Sequence, residues 1–250
     1  MNEDLESILD KYSNILIFSG AGVSTLSGIH DYKNNELYWS DIKQDYFTHQ
    51  EIMSEDTFRK DKPLFFEYYQ SLSENLRDKK PNKCHYFAKE LLEKGKLTGV
   101  ITQNIDGLYN SLIPKDKLCE IHGSSFAYKC VKCGNTISEK QTYISKKGIL
   151  HSYCCNFIAK PTVVLYGESF EKENQELYKS LMKKADCILV MGTELDVVSH
   201  NMAIGDSNTF RVLINNKSVI LNKLQRFGYT NEILTLDWDR ELIGDFNTIL

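Results

Sequence analysis

Apolar residues fall in short continuous runs along this chain, and most of those runs stop at a glycine or a polar cluster. Ile15-Leu16-Ile17-Phe18 has the length and β-branched content of a buried parallel strand, and Gly20-Ala21-Gly22 just after it marks a sharp turn. Thr98 to Thr102, Leu118 to Ile121, Thr162 to Tyr166, Asp186 to Met191 and Arg211 to Asn215 read as further strands. Leu5 to Tyr12 reads as a helix. So does Cys84 to Gly95, with Phe87, Leu91 and Leu92 as its apolar positions and a glycine at its end. Strand alternating with helix predicts an α/β fold built on a doubly wound, mostly parallel sheet.

Two stretches break the alternation. Residues 34–81 are polar, aromatic and helix-prone, too long to serve only as a connection, and read as a helical insertion. Residues 124–160 are polar and turn-rich, carry a CxxC pair, and read as a small inserted module. The sheet domain is then expected from 1–33, 82–123 and 161–250. No internal repeat and no low-complexity linker interrupts it.

The strand ends carry the candidate chemistry. A strand that empties into Gly20-Ala21-Gly22 lets backbone N–H groups approach a pyrophosphate with no Cβ in the way. The next glycine, Gly28, stands too far on to complete the usual dinucleotide fingerprint, so this turn alone is weak evidence. Two more strands end in similar loops, Thr102-Gln103-Asn104-Ile105-Asp106-Gly107 and Gly192-Thr193-Glu194. Loops at one end of the strands are where an open α/β sheet binds its ligand.

Composition narrows the class. The 250 residues are 42% hydrophobic, enough for a substantial core, and the net charge of −4 leaves no basic footprint for direct nucleic-acid binding. No apolar run reaches membrane-spanning length, and Met1 to Lys11 is acidic and amphipathic rather than leader-like. A soluble, intracellular, cytoplasmic protein is expected, with its oligomeric state open. Seven cysteines, an odd number with two in CxxC spacing, suit metal binding and free thiols rather than a disulfide frame.

These motifs, in this order, resemble the sirtuin family through most of the chain. Its first signature, Gly-Ala-Gly-x-Ser-x-x-Ser-Gly-Ile-Pro-Asp-Phe-Arg, is matched by Gly20, Ala21, Gly22, Ser24, Ser27, Gly28, Ile29 and Asp31. Thr-Gln-Asn-Ile-Asp is intact at Thr102 to Asp106, His-Gly at His122-Gly123, and Val163 to Glu168 is similar to Val-Val-Phe-Phe-Gly-Glu. Gly192-Thr193 and Ile214-Asn215 complete the series. The resemblance implies a Rossmann-like sheet with a zinc-ribbon module and a helical insertion. It also implies an enzyme, an NAD-dependent protein-lysine deacylase, in the first instance a deacetylase. The acyl oxygen of a modified lysine attacks C1′ of the nicotinamide ribose, and a ribose hydroxyl, deprotonated by His122, then attacks the imidate. The products are nicotinamide, O-acyl-ADP-ribose and free lysine.

By the same resemblance Asn104 positions the ribose and its attacking water, Asp106 holds the nicotinamide carboxamide, and Gln103 bonds a ribose hydroxyl. Ala21, Gly22 and Ser24 face the phosphates, with Gly20, Asp31, Tyr32, Lys33 and Ile105 in the same pocket. Gly192, Thr193, Glu194 and Asn215 belong to the adenosine side. Val164, Gly167 and Glu168 flank an acyl-lysine peptide or protein, and Tyr166 walls the channel for the lysine stem. The Tyr-x-x-Arg pair of members that take acidic acyl groups is missing, since Ser71 and Leu72 follow Tyr68 and Tyr69.

Several positions depart from the pattern. His30 stands for proline, Tyr32 for phenylalanine, Lys33 for arginine, Tyr109 for the histidine that ends the second signature, Glu194 for serine and Ser199 for proline. The zinc site is irregular too. Cys130 and Cys133 make a strong half-site, because two thiolates two residues apart can grip one tetrahedral ion. The second pair belongs at 152 and 155 by the family's spacing, but 152 is Ser152, and Cys154 and Cys155 are adjacent. Cys130–Cys133–Cys154–Cys155 is one ligand set, His151 an alternative for one member, and loss of zinc a third reading. Protein ADP-ribosyl transfer, NAD hydrolysis and ADP-ribose sensing without turnover compete with deacylation.

Overall fold

The computed structural model describes residues 5–29, 48–193, 209–215 and 233–237. The chain opens with α1 (Leu5–Lys11), β1 (Ile15–Ser19) and a short helix α2 (Ala21–Thr25). Helices α3 (His49–Ile52), α4 (Glu55–Lys60) and α5 (Lys62–Arg77) follow, each started by a side-chain cap. Thr48, Ser54 and Asp61 accept from the N–H groups of Glu51, Thr57 and Leu64. Next come α6 (Lys83–Glu93), β2 (Leu97–Thr102) and β3 (Leu118–Glu120). The expected glycine cap of α6 is present, with Gly95 at φ +71° and donating to Leu92.

Five short antiparallel strands then form a second sheet: β4 (Ala127–Cys130), β5 (Thr136–Ser138), β6 (Thr142–Ile144), β7 (Leu150–Ser152) and β8 (Phe157–Pro161). Their order is β5-β4-β8-β7-β6. After them, α7 (Lys172–Lys184), β9 (Cys187–Met191), β10 (Phe210–Asn215) and β11 (Ile233–Asp237) complete the large sheet. All its pairings are parallel, in the order β11-β10-β9-β1-β2-β3. The chain turns outward both ways from β1 and β9, the Rossmann arrangement, which opens a crevice beyond their carboxyl ends.

Both faces of this sheet are covered. Ile15, Ile17, Leu189 and Met191 face a cluster with Leu5, Ile8, Phe87, Ala88 and Leu91 of α1 and α6. Leu16, Phe18, Ile188 and Val190 face the opposite cluster, which holds Leu181 of α7. Burial on two faces explains why β1 and β9 read as unbroken apolar runs. A third cluster joins α3 to α5 with the small sheet, through Phe65, Phe66, Tyr69, Tyr128, Ile137 and Leu150. The two insertions therefore share one core although the large sheet's strands separate them in sequence.

One expected strand is corrected. Thr162 to Tyr166 is no strand of the large sheet: β8 ends at Pro161, the chain bends at Thr162 and Val163, and a single parallel bridge joins Tyr166 to Ser54. Val163 and Leu165 are apolar because they pack into the third cluster. β11 is not among the strands expected above. Among the described residues no helix is long and apolar enough to cross a membrane.

A close backbone approach at the end of the large sheet joins two strand-end turns. Gly22 N–H donates to the Gly192 carbonyl at 2.8 Å, and a Cβ on Gly22 would lie 2.8 Å from both the Cα and the carbonyl oxygen of Gly192. Neither neighbour is a flexible side chain, so the backbone itself must shift. Gly22→Ala is expected to cost about 3 kcal/mol and to lower Tm by roughly 6–12 °C, read by thermal denaturation.

Candidate active site

The loop after β2 lies against the Gly20–Ser24 turn and is tied to it by side chains. Asn104 donates from Nδ2 to the Gly20 carbonyl and to Ser24 Oγ, both at 3.0 Å. Ser24 Oγ in turn donates to Asp106 at 2.6 Å, a buried bond, and the other Asp106 oxygen accepts from Leu108 N–H at 3.0 Å. Burial pushes the Asp106 carboxyl up, while the bonds from Ser24 and Leu108 favour its charged form. Gln103 reaches the third loop, its Oε1 accepting from Thr193 Oγ1 at 2.8 Å. Gly20 N–H donates to Met191 and Gly192 N–H to Ile214, so the ends of β1, β2, β9 and β10 are joined.

His122 follows β3 and faces this group. Its Nδ1 lies 2.8 Å from the Gln103 carbonyl, an acceptor only, so Nδ1 carries the proton and Nε2 the lone pair. Burial lowers the imidazole pKa, which the Gln103 bond partly opposes, so the ring is neutral near pH 7. Phe170 stacks on it with centroids 5.8 Å apart. Gly123, at φ +76°, lets the chain pass the Thr162 carbonyl, which would stand 2.0 Å from a Cβ there. Nothing in the sequence singled out Phe170, which lies between the Val163–Glu168 and Gly192-Thr193 motifs and belongs to neither.

The expected substrate residues come together beside His122. Val164 N–H donates to the His122 carbonyl at 2.9 Å. Tyr166 donates to Met53 and accepts from Glu55, each at 2.9 Å, and its side chain is 43% exposed. Its ring meets His49 edge-on, and His49 bonds the Tyr68 hydroxyl. Glu168 closes its own turn by accepting from Leu165 N–H and pairs with Lys160, both at 3.0 Å. Beyond Gly167 a crevice of about 400 Å³ opens between Glu55, Lys129, Lys160, Thr162 and Glu171.

The four cysteines converge: the Sγ atoms of Cys130, Cys133, Cys154 and Cys155 all lie within 4.8 Å of one another. Four sulfurs each about 2.3 Å from one zinc ion stand about 3.8 Å apart, and Cys133 and Cys154 are separated by 3.8 Å. The donor set fits a structural zinc site. His151 is outside it, stacked on Tyr143. Ser152, in place of the expected cysteine, donates to Cys130 Sγ at 3.2 Å, the largest of the influences holding that thiol down to about 6. Asp31, Tyr32, Lys33 and Glu194 lie outside the described residues, as do His30 and Ser199, and Asn215 is described by its backbone alone.

Comparison with known proteins places these features together. The Sir2 family model matches residues 20–199. A Clostridium acetobutylicum protein named NAD-dependent protein deacetylase is 34% identical over 231 residues, 92% of this chain and 90% of its own. A Leptospira interrogans protein named NAD-dependent protein deacylase is 33% identical over 195 residues, 77% of this chain and 76% of its own. The crystal structure of a Sir2 homologue–NAD complex superposes with a TM-score of 0.77 at 23% identity, covering 96% of this chain and 90% of that one.

Glu120, just before His122 at the end of β3, supplies a pH-dependent prediction. Burial, with a smaller contribution from Asp106, raises its carboxyl from 4.5 to about 7. Its protonated form is favoured by folding, so that stability is complete below about pH 4.5 and is lost as pH rises through about 7. Glu120→Gln removes the loss: Tm curves of variant and parent should coincide near pH 4.5 and separate by a few degrees above pH 7, with the variant higher.

Proposed function

The chain belongs to the Sir2 family, and we infer that it is an NAD-dependent protein-lysine deacylase that releases nicotinamide, O-acyl-ADP-ribose and the free lysine. The observation that carries this reading is the neutral His122, with its tautomer fixed by Gln103, beside three strand-end loops that are bonded to one another. A ribosyl carbon that loses nicotinamide there meets the acyl oxygen first. His122 Nε2 then takes the proton of the ribose hydroxyl that resolves the imidate, a role suited to an imidazole neutral at working pH.

Asp106 receives the nicotinamide carboxamide, because a buried carboxylate gains most from an added N–H donor. Asn104 presents its carbonyl to the ribose and its water, since its amide is committed to Gly20 and Ser24. Ala21, Gly22 and Ser24 face the phosphates, Gln103 and Thr193 the ribose hydroxyls, with Lys33, Glu194 and Asn215 completing the cofactor side. The acyl-lysine segment of a protein runs along Val164 to Glu168, with Tyr166 against the lysine stem. On this reading 1–33, 82–123 and 161–250 form the NAD domain, and the two insertions form the facing wall. A structural zinc ion held by Cys130, Cys133, Cys154 and Cys155 ties β4 to the turn before β8. All seven cysteines are free of disulfides, in keeping with a reducing, cytoplasmic setting.

Protein incubated with NAD and an acetyl-lysine peptide, followed by mass spectrometry, tests the activity. Deacetylated peptide and O-acetyl-ADP-ribose should appear in equal amounts, and His122→Ala should reduce both by about 10²-fold or more. Nicotinamide released at the same rate without peptide would mean hydrolysis or ADP-ribosyl transfer instead. The acid limb of the kcat/KM profile should fall below pH 6.5, the direction in which burial moves His122. Metal analysis should return about one zinc per chain, and Cys130→Ser should remove it with a loss of thermal stability.

A further inference from the structure

Charge is unevenly shared along the chain. Residues 124–160 hold six lysines against one acid, Glu139, a net +5, so the remaining residues carry −9 to give the chain's −4. Four thiolates around one zinc ion would cancel two of those positive charges and still leave the module basic. Local pairing does not remove the excess. Lys129 and Lys160 are matched by Glu171 and Glu168, and Glu139 is taken by Arg77 of α5. Lys132, Lys140, Lys146 and Lys147 are exposed and make no ion pair among the described residues.

Three of these four lysines bracket one strand. β6 lies at the end of the small sheet, with Lys140 just before it and Lys146 and Lys147 in the turn after it. The register shows what its open edge offers. Ser145 N–H donates to Ile149 and Tyr153 N–H to Gln141, so the hydrogen-bonded pairs toward β7 fall at 141, 143 and 145. The Ile144 N–H and carbonyl and the Thr142 carbonyl therefore point away from β7, to a side on which no described strand lies. Apolar side chains stand beside them: Ile144 is 57% exposed, and Tyr153, 65% exposed, rests against the Tyr143 ring.

We propose that the β6 edge docks an extended acidic segment of another protein, which pairs with the Ile144 main chain and sets its carboxylates against Lys140, Lys146 and Lys147. A chain added to a sheet edge is held by main-chain bonds and selected by the side chains around it. Here the lysines select. They repel a second edge of the same kind, so two copies do not pair through β6, whereas an acidic strand is attracted. The other residues, at −9, disfavour a long polyanion such as a nucleic acid, whose charge runs on past the patch. A short acidic polypeptide brings its charge only to where the lysines are. β8 of the same sheet leads into Val163 to Glu168. On the deacylase reading, docking at β6 therefore favours protein substrates that carry an acidic stretch; the binding site itself does not depend on that reading.

Fluorescence anisotropy of a short labelled peptide of alternating glutamate and valine, titrated with the whole protein, tests the site. The peptide should bind, and its affinity should fall as salt rises through about 0.15 M. Lys140→Glu, Lys146→Glu and Lys147→Glu together should weaken binding by about tenfold or more. Ile144→Pro separates a strand-edge site from charge attraction alone, because proline is tolerated on an edge strand and removes only the outward N–H. It should weaken binding by about threefold or more with every lysine in place. No binding, or binding equal to the parent's in either variant, overturns the proposal. So does tighter binding of a labelled oligouridine than of the peptide, or a change of oligomeric state in the lysine variant. If the proline variant does not fold, the lysine variant decides. Turnover of an acetyl-lysine peptide without acidic residues should stay within about twofold in both variants, since none of these side chains belongs to the NAD or acyl-lysine site. Failure of that assay in the parent removes the deacylase reading and leaves the binding test to stand by itself.

Discussion

The Ser24 hydroxyl holds two loops at once, donating to Asp106 at 2.6 Å and accepting from the Asn104 amide at 3.0 Å. A hydroxyl is the only common side-chain group that can do both in so small a volume, and it leaves Asn104 with its carbonyl oxygen to offer. The same bond makes a buried carboxylate tolerable. Asp106 has lost its water, and Ser24 with the Leu108 N–H supplies in fixed positions part of what the solvent would have given. A site that binds a carboxamide gains from a carboxylate whose remaining acceptor capacity is aimed rather than solvated. Much of the fold around it, from the Gly22–Gly192 contact to the cap of α6, keeps these few atoms in register.

The sequence was most legible where a motif and its local geometry are the same thing. Gly20-Ala21-Gly22 reads as a turn that admits phosphate, and the structure makes its second glycine the point where two backbones nearly touch. Asn104, Asp106 and His122 are legible only by resemblance, since an Asx-rich turn and a strand-end histidine have ordinary uses. Thr162 to Tyr166 misled because alternating burial of Val163 and Leu165 gives the pattern of a strand, while its hydrogen bonds go to His122, Met53 and Glu55 instead of a ladder. Phe170 and the role of Ser152 left no mark, because each depends on contacts between residues distant in the chain.

The four-cysteine module illustrates how a shift in cysteine spacing can be absorbed. Moving a cysteine from position 152 to 154 carries it from β7 into the turn at Tyr153 to Asn156, and Asn156 takes a left-handed φ of 54° there. Asparagine adopts that conformation more readily than most residues, so the turn can present adjacent thiols to one point. The serine left behind is still useful, since it donates to the one buried thiol of the set, Cys130. A hydrogen bond to a thiolate favours the deprotonated form that a metal requires.

Helices α3 to α5 and the small sheet share a core that also takes in Val163 and Leu165. Val163 and Leu165 are buried in that core, while Val164 between them bonds His122 through the backbone. The strip from Val163 to Glu168 is thus pinned alternately to the small sheet and helices and to the loop that carries His122. The Val164 bond ties this strip to His122, and Tyr166 is held at the far end by its backbone bonds with Met53 and Glu55. A peptide bound along this strip, as proposed above, would add its main-chain contacts to those the strip already makes. On the proposed reading, peptide binding and the placing of His122 are linked through one short piece of backbone.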